Sequence, residues 1–480
     1  MSADAESYER FTSPLASRYA SQRMARIFSP AEKVRTWRQI WIALAEAQKE
    51  LGLGITDNQL QQMRAHADHV NFERAEVLEH ELRHDVMAHV HAFGEQAPDA
   101  RPIIHLGATS CDVGDNADLV AIRKGLDVLK RRLLATIERL ARFAEEHKAL
   151  PTLGFTHYQP AQLTTVGKRA CLWLWDLVLD YEAVRAARAG LRFRGIKGTT
   201  GTQASFLRLF EGDHKKVKKL DRLVAEKMGF AKVHPVTGQT YTRKVDSQVV
   251  GTLSGIAQSA HKFANDLRLL SNRKELEEPF ERQQVGSSAM AYKRNPMRSE
   301  RMTGLARVLI SLAPAAAATA AEQWLERTLD DSATRRIVLG EGFLAADAIL
   351  RLYQNIAGGL VVYPKMIARH IEAELPFMAT ENILMAGVKA GGDRQTLHEA
   401  IRQHSQAAAH VVKIEGGRND LLERLKADPV FAKVDIDAEL EPSRFIGRAP
   451  EQVDEFLAAH TQPLLDTHRG TNGVEAEINV

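Results

Sequence analysis

One short span concentrates glycine, a pair of adjacent serines and four cations: Gly286-Ser287-Ser288-Ala289-Met290-Ala291-Tyr292-Lys293-Arg294-Asn295-Pro296, continued by Met297-Arg298-Ser299-Glu300-Arg301. Glycine and serine admit turn geometry that exposes backbone N–H groups, and the lysine and arginines add cationic donors, so the span is suited to gripping an anion. The charges alone would describe no more than a solvated basic loop. His157 lies in Pro151-Thr152-Leu153-Gly154-Phe155-Thr156-His157-Tyr158-Gln159-Pro160, which breaks the helical pattern. Pro160 is placed to begin another helix, which puts His157 at a helix entrance. An imidazole there can pass a proton to a leaving nitrogen near neutral pH; its plainer role is capping or packing in a fixed tautomer. His80-Glu81-Leu82-Arg83-His84 is a literal H-E-x-x-H. On one helix it would set two histidines on one face to bind zinc, although the longer form of that motif wants Gly at 87 and His at 90, where the chain has Met87 and Val90.

The order Gly-Ser-Ser-x-Met-x-x-Lys-x-Asn-Pro resembles the signature loop of the fumarase/aspartase superfamily, whose members eliminate fumarate from a succinyl group. The wider span, Ala289-Met290 with Tyr292 through Arg301, is similar to the adenylosuccinate lyase family, and the similarity runs from Tyr8 to the C-terminal region. The family has Pro where this chain has Ala291, so the loop loses a fixed φ and is expected to be more mobile before substrate binds. The resemblance implies elimination of fumarate from adenylosuccinate to give AMP, and from succinyl-aminoimidazole-carboxamide ribotide (SAICAR) to give AICAR, with no metal and no other cofactor. Thr156-His157 with Gln159-Pro160-Ala161-Gln162 matches the family loop that bears the general acid, making His157 the implied acid. Ser287, in preference to Ser288, is the implied base. An unassisted hydroxyl is a poor base, so Lys293 and the loop N–H groups must stabilise its alkoxide and the charge that develops on the substrate carboxylate.

Substrate contacts follow from the same resemblance. Arg18 and Tyr19 fall in the arm Ser13–Ser21, which carries phosphate-binding groups in the family, and a guanidinium can hold a phosphate through two parallel charged hydrogen bonds. Arg83, His84 and Asp85 belong to a substrate-binding helix, with His89 and His91 as packing or helix-surface residues. Thr109 and Ser110 should hydrogen-bond a carboxylate; Gln239, Arg301, Arg327, Ser332 and Arg336 complete the implied set. A lyase acting on argininosuccinate would share the Ser-Lys chemistry but lack the Tyr292–Arg301 match and the phosphate-binding arm. A zinc peptidase would rest on His80 to His84. A non-catalytic oligomer is a third alternative, against which Ser287, His157 and Lys293 together argue.

These residues need rigid elements. Trp37, Ile40, Trp41, Leu44, Gln48 and Leu51 recur at helical spacing until Gly52 and Gly54 stop them. Leu119, Ile122, Leu126, Leu129, Leu133, Leu140 and Phe143 follow a nearly seven-residue repeat, the pattern of bundle packing. Further long helices are expected through Trp173 to Tyr181 and through Val245 to Leu267. Gly195, Gly198 and Gly201 match neither a dinucleotide nor a phosphate-loop pattern and read as a tight connection. Ala315 to Ala318 would allow close helix contact. The expected fold is all-α in three helical domains: 1–110 N-terminal, 111–363 a central long-helix bundle carrying the signature loop, and 364–480 C-terminal. Apolar positions too numerous for one rod-like chain to bury, together with the resemblance, imply a homotetramer whose sites are shared between subunits.

Composition sets the remaining bounds. The 480 residues are 44% hydrophobic, enough for more than one core. With 64 basic against 61 acidic side chains, a formal charge of +3, there is no general surface for nucleic acid or membrane. The N-terminus has no basic-then-apolar leader pattern, and no apolar run is expected to reach the ~20 residues of a membrane span. A cytoplasmic protein follows. Cys111 and Cys171 are too few and too isolated for a disulfide framework and are expected as free thiols.

Overall fold

The computed structural model describes residues 11–281, 283–284 and 288–467. Five long helices form its axis: α6 (Ser110–Glu146), α7 (Val166–Gly190), α10 (Lys244–Asn272), α11 (Met297–Ala321) and α12 (Asp331–Ala357). The seven-residue repeat in α6 explains its role, since Leu119, Ile122, Leu126, Leu129, Leu133 and Leu140 are all fully buried and the helix packs on both α7 and α12. α10 packs on α7, α11 and α12. Two glycines set close approaches: a Cβ on Gly125 of α6 would lie 2.6 Å from the Phe343 ring of α12, and one on Gly167 of α7 would collide with the backbone that ends α6. α6 and α12 run parallel, paired in turn by Asp115 with Arg335, Arg132 with Asp347, and Arg139 with the Gln354 carbonyl. α11 runs antiparallel to its neighbours. One end of the bundle therefore gathers the starts of α6, α10 and α12; the other gathers the start of α11 and the ends of α6, α10 and α12.

The N-terminal part lies against this axis. After α1 (Gln22–Ile27), the predicted Trp37–Leu51 stripe becomes α2 (Pro30–Glu50), started by Ser29, whose hydroxyl accepts the Glu32 N–H, and closed by Gly52 at φ +98°. Helices α3 (Asp57–Ala65), α4 (Phe72–Leu82) and α5 (Asp85–Gln96) follow. Between α7 and α10 lie the short α8 (Ala204–Leu209) and α9 (His214–Lys227). After α13 (Pro364–Met378), helices α14 (Thr380–Lys389), α15 (Arg394–His410) and α16 (Leu421–Ala427) enclose a separate small core that includes Ile383, Leu397, Leu421, Leu425 and Phe431. α17 (Ala449–Phe456) returns to the bundle, where Val453 joins the main core and Phe456 meets Trp175 of α7 with ring centroids 6.0 Å apart. The all-α expectation holds.

Two expectations need correction. Residues 151–165 form no helix entrance but an antiparallel hairpin, β1 (Pro151–Thr156) with β2 (Gln159–Thr165), in which buried Leu153 pairs with Leu163 and Pro160 sits opposite Phe155. The threonines favour extended backbone, and the next helix waits for Thr165, whose hydroxyl caps Lys168 N–H at 3.1 Å. A second, two-residue ladder joins β3 (Leu276–Glu277) to β4 (Val361–Val362). The other correction concerns α11, which is long and apolar enough to cross a membrane by length and composition, yet only 17% of its most apolar stretch is buried within this chain. It packs along α10 and α12 on one side and leaves the other uncovered.

Candidate active site

At the first end of the bundle, α4 stops at Leu82 because Arg83 turns left-handed (φ +54°), and His84 becomes the N-cap of α5. That break disposes of the zinc motif: His80 and His84 lie on different elements, and the described residues contain no cluster of three potential metal ligands. His84 Nδ1 accepts the Met87 N–H at 3.3 Å, so a neutral ring carries its proton on Nε2, 3.4 Å from Ser110 Oγ. Ser110 is the first residue of α6, and Thr109 before it is fixed by its N–H to Asp112 Oδ2 at 2.8 Å. The positive end of the dipole of so long a helix favours a carboxylate in front of it. Asp85 meets Arg336 of α12 at 3.5 Å. Gln239 is anchored through its N–H to the Glu326 carbonyl at 2.9 Å, and Cys111 Sγ faces its Oε1 at 3.7 Å. Burial pushes the Cys111 thiol up to about 12, so it remains a donor and leaves the Gln239 amide nitrogen to be directed at a ligand.

Beneath these groups lies a network of buried ions that sequence reasoning missed. Arg243, 1% exposed, bonds Asp115 of α6 through both terminal nitrogens (2.9 and 3.0 Å) and Asp331 of α12 through Nε (2.6 Å). The other Asp331 oxygen takes Arg327 at 2.8 Å. Arg335 joins Asp118 at 2.9 Å and Asp246 at 2.7 Å, and it also donates to Tyr241 Oη at 2.8 Å. Burial by itself would raise the Asp115 carboxyl, but the Arg243 and Arg335 guanidiniums hold it below the ordinary carboxylate range. The network ties the starts of α6, α10 and α12 into one rigid platform and aims Arg327. Ser332, the second residue of α12, is half-buried beside it. The signal that could have revealed the network is the recurrence of Asp and Arg in the first turns of three long helices, at 115, 243, 331 and 335.

The other end holds the remaining predicted residues. His157 and Tyr158 form a two-residue hairpin turn with φ of +51° and +57°, the positive pair that such tight turns require, and the imidazole is exposed with no hydrogen-bond partner among the described residues. The hairpin is braced by Arg273, 4.8 Å from the Phe155 ring centroid. Lys293 is exposed beyond a turn closed by its own N–H to the Met290 carbonyl at 3.0 Å. It lines an open cleft of about 700 Å3 with Arg268, Asn272 and Glu300. Ser287 lies outside the described residues; Ser288 is exposed. Arg18 and Arg301 approach the Tyr19 ring at 6.0 and 5.8 Å, which unites three predicted substrate residues. The arm is seated on α12, where Tyr19 O accepts Arg351 at 2.7 Å and Ser21 N–H reaches Asp347 at 2.6 Å.

The basic span is less basic toward solvent than its sequence suggests. Arg298 turns inward to Glu281 (2.6 Å) and Asn355 (2.7 Å), while Arg294 meets Glu277 at 3.6 Å. Glu278 accepts the Arg298 and Ser299 N–H groups, both at 2.9 Å, and so caps α11. Lys293 and Arg301 remain for a ligand. Overall, Arg83, His84, Asp85, Thr109, Ser110, Gln239, Arg327, Ser332 and Arg336 gather at one end, while His157, Lys293, Arg18, Tyr19 and Arg301 gather toward the other. At 1.5 Å per residue along α10, Lys293 stands about 40 Å from the Gln239 end; Arg301, nearer the middle, is about 25 Å from Arg336.

Comparison with known proteins gives this arrangement a context. A family model described as lyase matches residues 10–310, and one described as adenylosuccinate lyase C-terminus matches residues 376–456. The backbone superposes on 3-carboxy-cis,cis-muconate lactonizing enzyme from Pseudomonas putida with a TM-score of 0.81 at 22% identity, covering 94% of this chain and 100% of that one. Fumarate lyase from Mesorhizobium sp. BNC1 gives 0.78 at 24%, covering 92% and 99%. Those two likenesses establish the fold, and with the lyase match they define a lyase of the fumarase/aspartase superfamily. The adenylosuccinate lyase of Saccharomyces cerevisiae is 55% identical over 479 residues, 98% of this chain and 99% of the relative; that of Schizosaccharomyces pombe is 54% identical, covering 94% and 95%. This chain belongs to the adenylosuccinate lyase family.

Proposed function

We propose that this chain eliminates fumarate from adenylosuccinate to give AMP, and from SAICAR to give AICAR, in the cytoplasm, as a homotetramer whose sites are shared between subunits. Identity of 55% across nearly the whole length of a relative named for the first reaction supports the activity. Arg18, Tyr19 and Arg301 would take the phosphate, and the cationic end with Ser110, Gln239, Arg327 and Arg336 would take the succinyl carboxylates. His157 protonates the departing nitrogen and Ser287 removes the proton beside a carboxylate, with Lys293 stabilising the negative charge. No step in this reading uses a metal or cofactor. The same reading divides the chain into parts 1–110, 111–363 and 364–480.

The observation that carries the assembly is the division of the predicted site between two ends of one bundle, a separation that no small substrate can span. A second copy would complete the site and cover the bare face of α11 in the same step, which accounts for a membrane-grade apolar helix in a chain read as soluble. The test is fumarate release from adenylosuccinate by purified protein, followed by absorbance, beside His157→Ala. A general acid contributes about 100- to 10,000-fold, so the variant should lose at least about 100-fold in kcat while still binding substrate. Near-normal turnover by a folded variant would remove His157 from its role. Absence of fumarate release from wild type would remove the reaction.

A further inference from the structure

A cavity of about 770 Å3, lined by none of the predicted site residues, opens between α1, the start of α2 and the middle of α6. Its walls carry five cationic side chains, Arg23, Arg26, Lys124, Lys130 and Arg131, against two carboxylates. Both carboxylates are already engaged: Glu32 by Lys124 at 2.8 Å, and Asp127 by Arg188 at 3.1 Å from outside the cavity. Arg23, Arg26, Lys130 and Arg131 have no ion pair or side-chain hydrogen bond among the described residues. Such an arrangement is electrostatically unfavourable as it stands. Arg131 is half-buried, and burial first, then the like charge of Arg23, draws its guanidinium below the usual arginine value. Solvated surface cations normally spread apart or find carboxylates; here four from two helices line one concavity, whose walls focus their field. Ile27 and Leu134 add an apolar side. The volume lies in the range of small-molecule sites, and the unpaired charge matches a chain of phosphates better than a single one.

We propose that this cavity binds a small polyphosphate anion, either an inorganic phosphate chain or the phosphate tail of a nucleoside polyphosphate, at a site separate from that of the lyase reaction. Guanidiniums of Arg26 and Arg131 hold the phosphates from opposite helices, and Arg23 and Lys130 flank them. Binding relieves the repulsion between Arg23 and Arg131, so the anion also clamps α1 to α6. α1 directly follows the arm that carries Arg18 and Tyr19, which places the occupant where it can steady that arm.

The experiment is calorimetric titration of the full tetrameric protein with inorganic tripolyphosphate at low salt, repeated with ATP. Wild type should bind one tripolyphosphate per chain, with affinity falling steeply as salt rises. Arg26→Ala/Arg131→Ala should weaken binding at least tenfold, whereas Arg301→Ala, at a residue of α11 outside the cavity lining that meets the Tyr19 ring of the substrate arm, should leave it within about twofold. If ATP binds more tightly than tripolyphosphate, the Ile27 and Leu134 wall accepts a base and the ligand is a nucleotide; if not, the phosphate chain alone is recognised. Thermal unfolding provides a second reading, since Arg131→Ala should raise the midpoint in the absence of ligand and abolish the rise that tripolyphosphate gives wild type. Binding lost in Arg301→Ala, binding indifferent to the Arg26 and Arg131 changes, or no binding at millimolar tripolyphosphate would each overturn the proposal.

Discussion

Shared sites can be tested by mixing two dead proteins. Arg336→Met removes a cation from the end of the bundle that holds Ser110 and Gln239, and His157→Ala removes the proposed acid from the other end; the two positions lie on α12 and on the β1–β2 turn. His157→Ala alone should fall at least about 100-fold for want of its acid, and Arg336→Met should be crippled at limiting substrate for want of a cation on the succinyl carboxylates. If a site takes its ends from different chains, an equal mixture, dissociated and reassembled at random, gives each site an intact first end with probability one half and an intact second end with probability one half. About a quarter of the sites are then whole, and activity should return to about 25% of wild type. At a three-to-one ratio the product is 3/4 × 1/4, so about 19% is expected, and the recovered activity traces a parabola against mixing ratio. A site completed inside one chain predicts no recovery at any ratio, since every chain carries a defect. The separation of about 40 Å along α10 favours the first outcome. Fumarate release is the assay, and native mass spectrometry verifies that hybrids have formed. Verified hybrids that remain as inactive as their parents would refute the reasoning.

Long apolar repeats made the bundle legible. The stripe from Leu119 to Phe143 needs only helical periodicity to be read, and it became α6 with those leucines fully buried. The fold draws separate motifs into groups, His84 and Asp85 with Ser110 and Arg336, and Arg18 and Tyr19 with Arg301. Two kinds of feature were not legible. The hairpin at His157 was missed because Pro160 favours the first turn of a helix and an edge strand alike, and only the pairing of Leu153 with Leu163 decides between them. The buried ions were missed because Asp115, Arg243 and Asp331 lie far apart in sequence, and charged residues at helix starts, as at 243 and 331, are unremarkable on their own. The bare side of α11 is another such feature. Its composition suggests burial, yet packing within this chain leaves that side uncovered.

Arg243→Met should destabilise the protein by about 3–5 kcal/mol, because it leaves the Asp115 and Asp331 carboxylates buried without their cation. It should also raise KM more than it lowers kcat, by loosening Arg327; an unfolding free energy from urea titration within about 1 kcal/mol of wild type would contradict the network's role. Ala291 is the second residue of the turn that Lys293 N–H closes on Met290 O, a position that suits proline, so Ala291→Pro should stabilise by about 0.4–1 kcal/mol. A large loss in thermal midpoint would show that the loop has another geometry. The last prediction concerns Asp180 of α7, which is buried, has one carboxylate oxygen without a hydrogen-bond partner among the described residues, and is pushed up to about 7 mainly by that burial. An unfolded aspartate titrates near 3.9, so between about pH 4 and 7 the folded chain holds a proton that the unfolded chain has released. Stability contributed by this group is therefore intact below about pH 4 and lost as pH rises toward 7, by up to about 4 kcal/mol at 1.36 kcal/mol per pH unit. Asp180→Asn mimics the protonated form at every pH, so its gain over wild type should be small at pH 5 and grow through pH 7.5. Parallel stability curves for the two proteins across that range would show that Asp180 is ionised and solvated in the folded state, contrary to its place between α7 and α10.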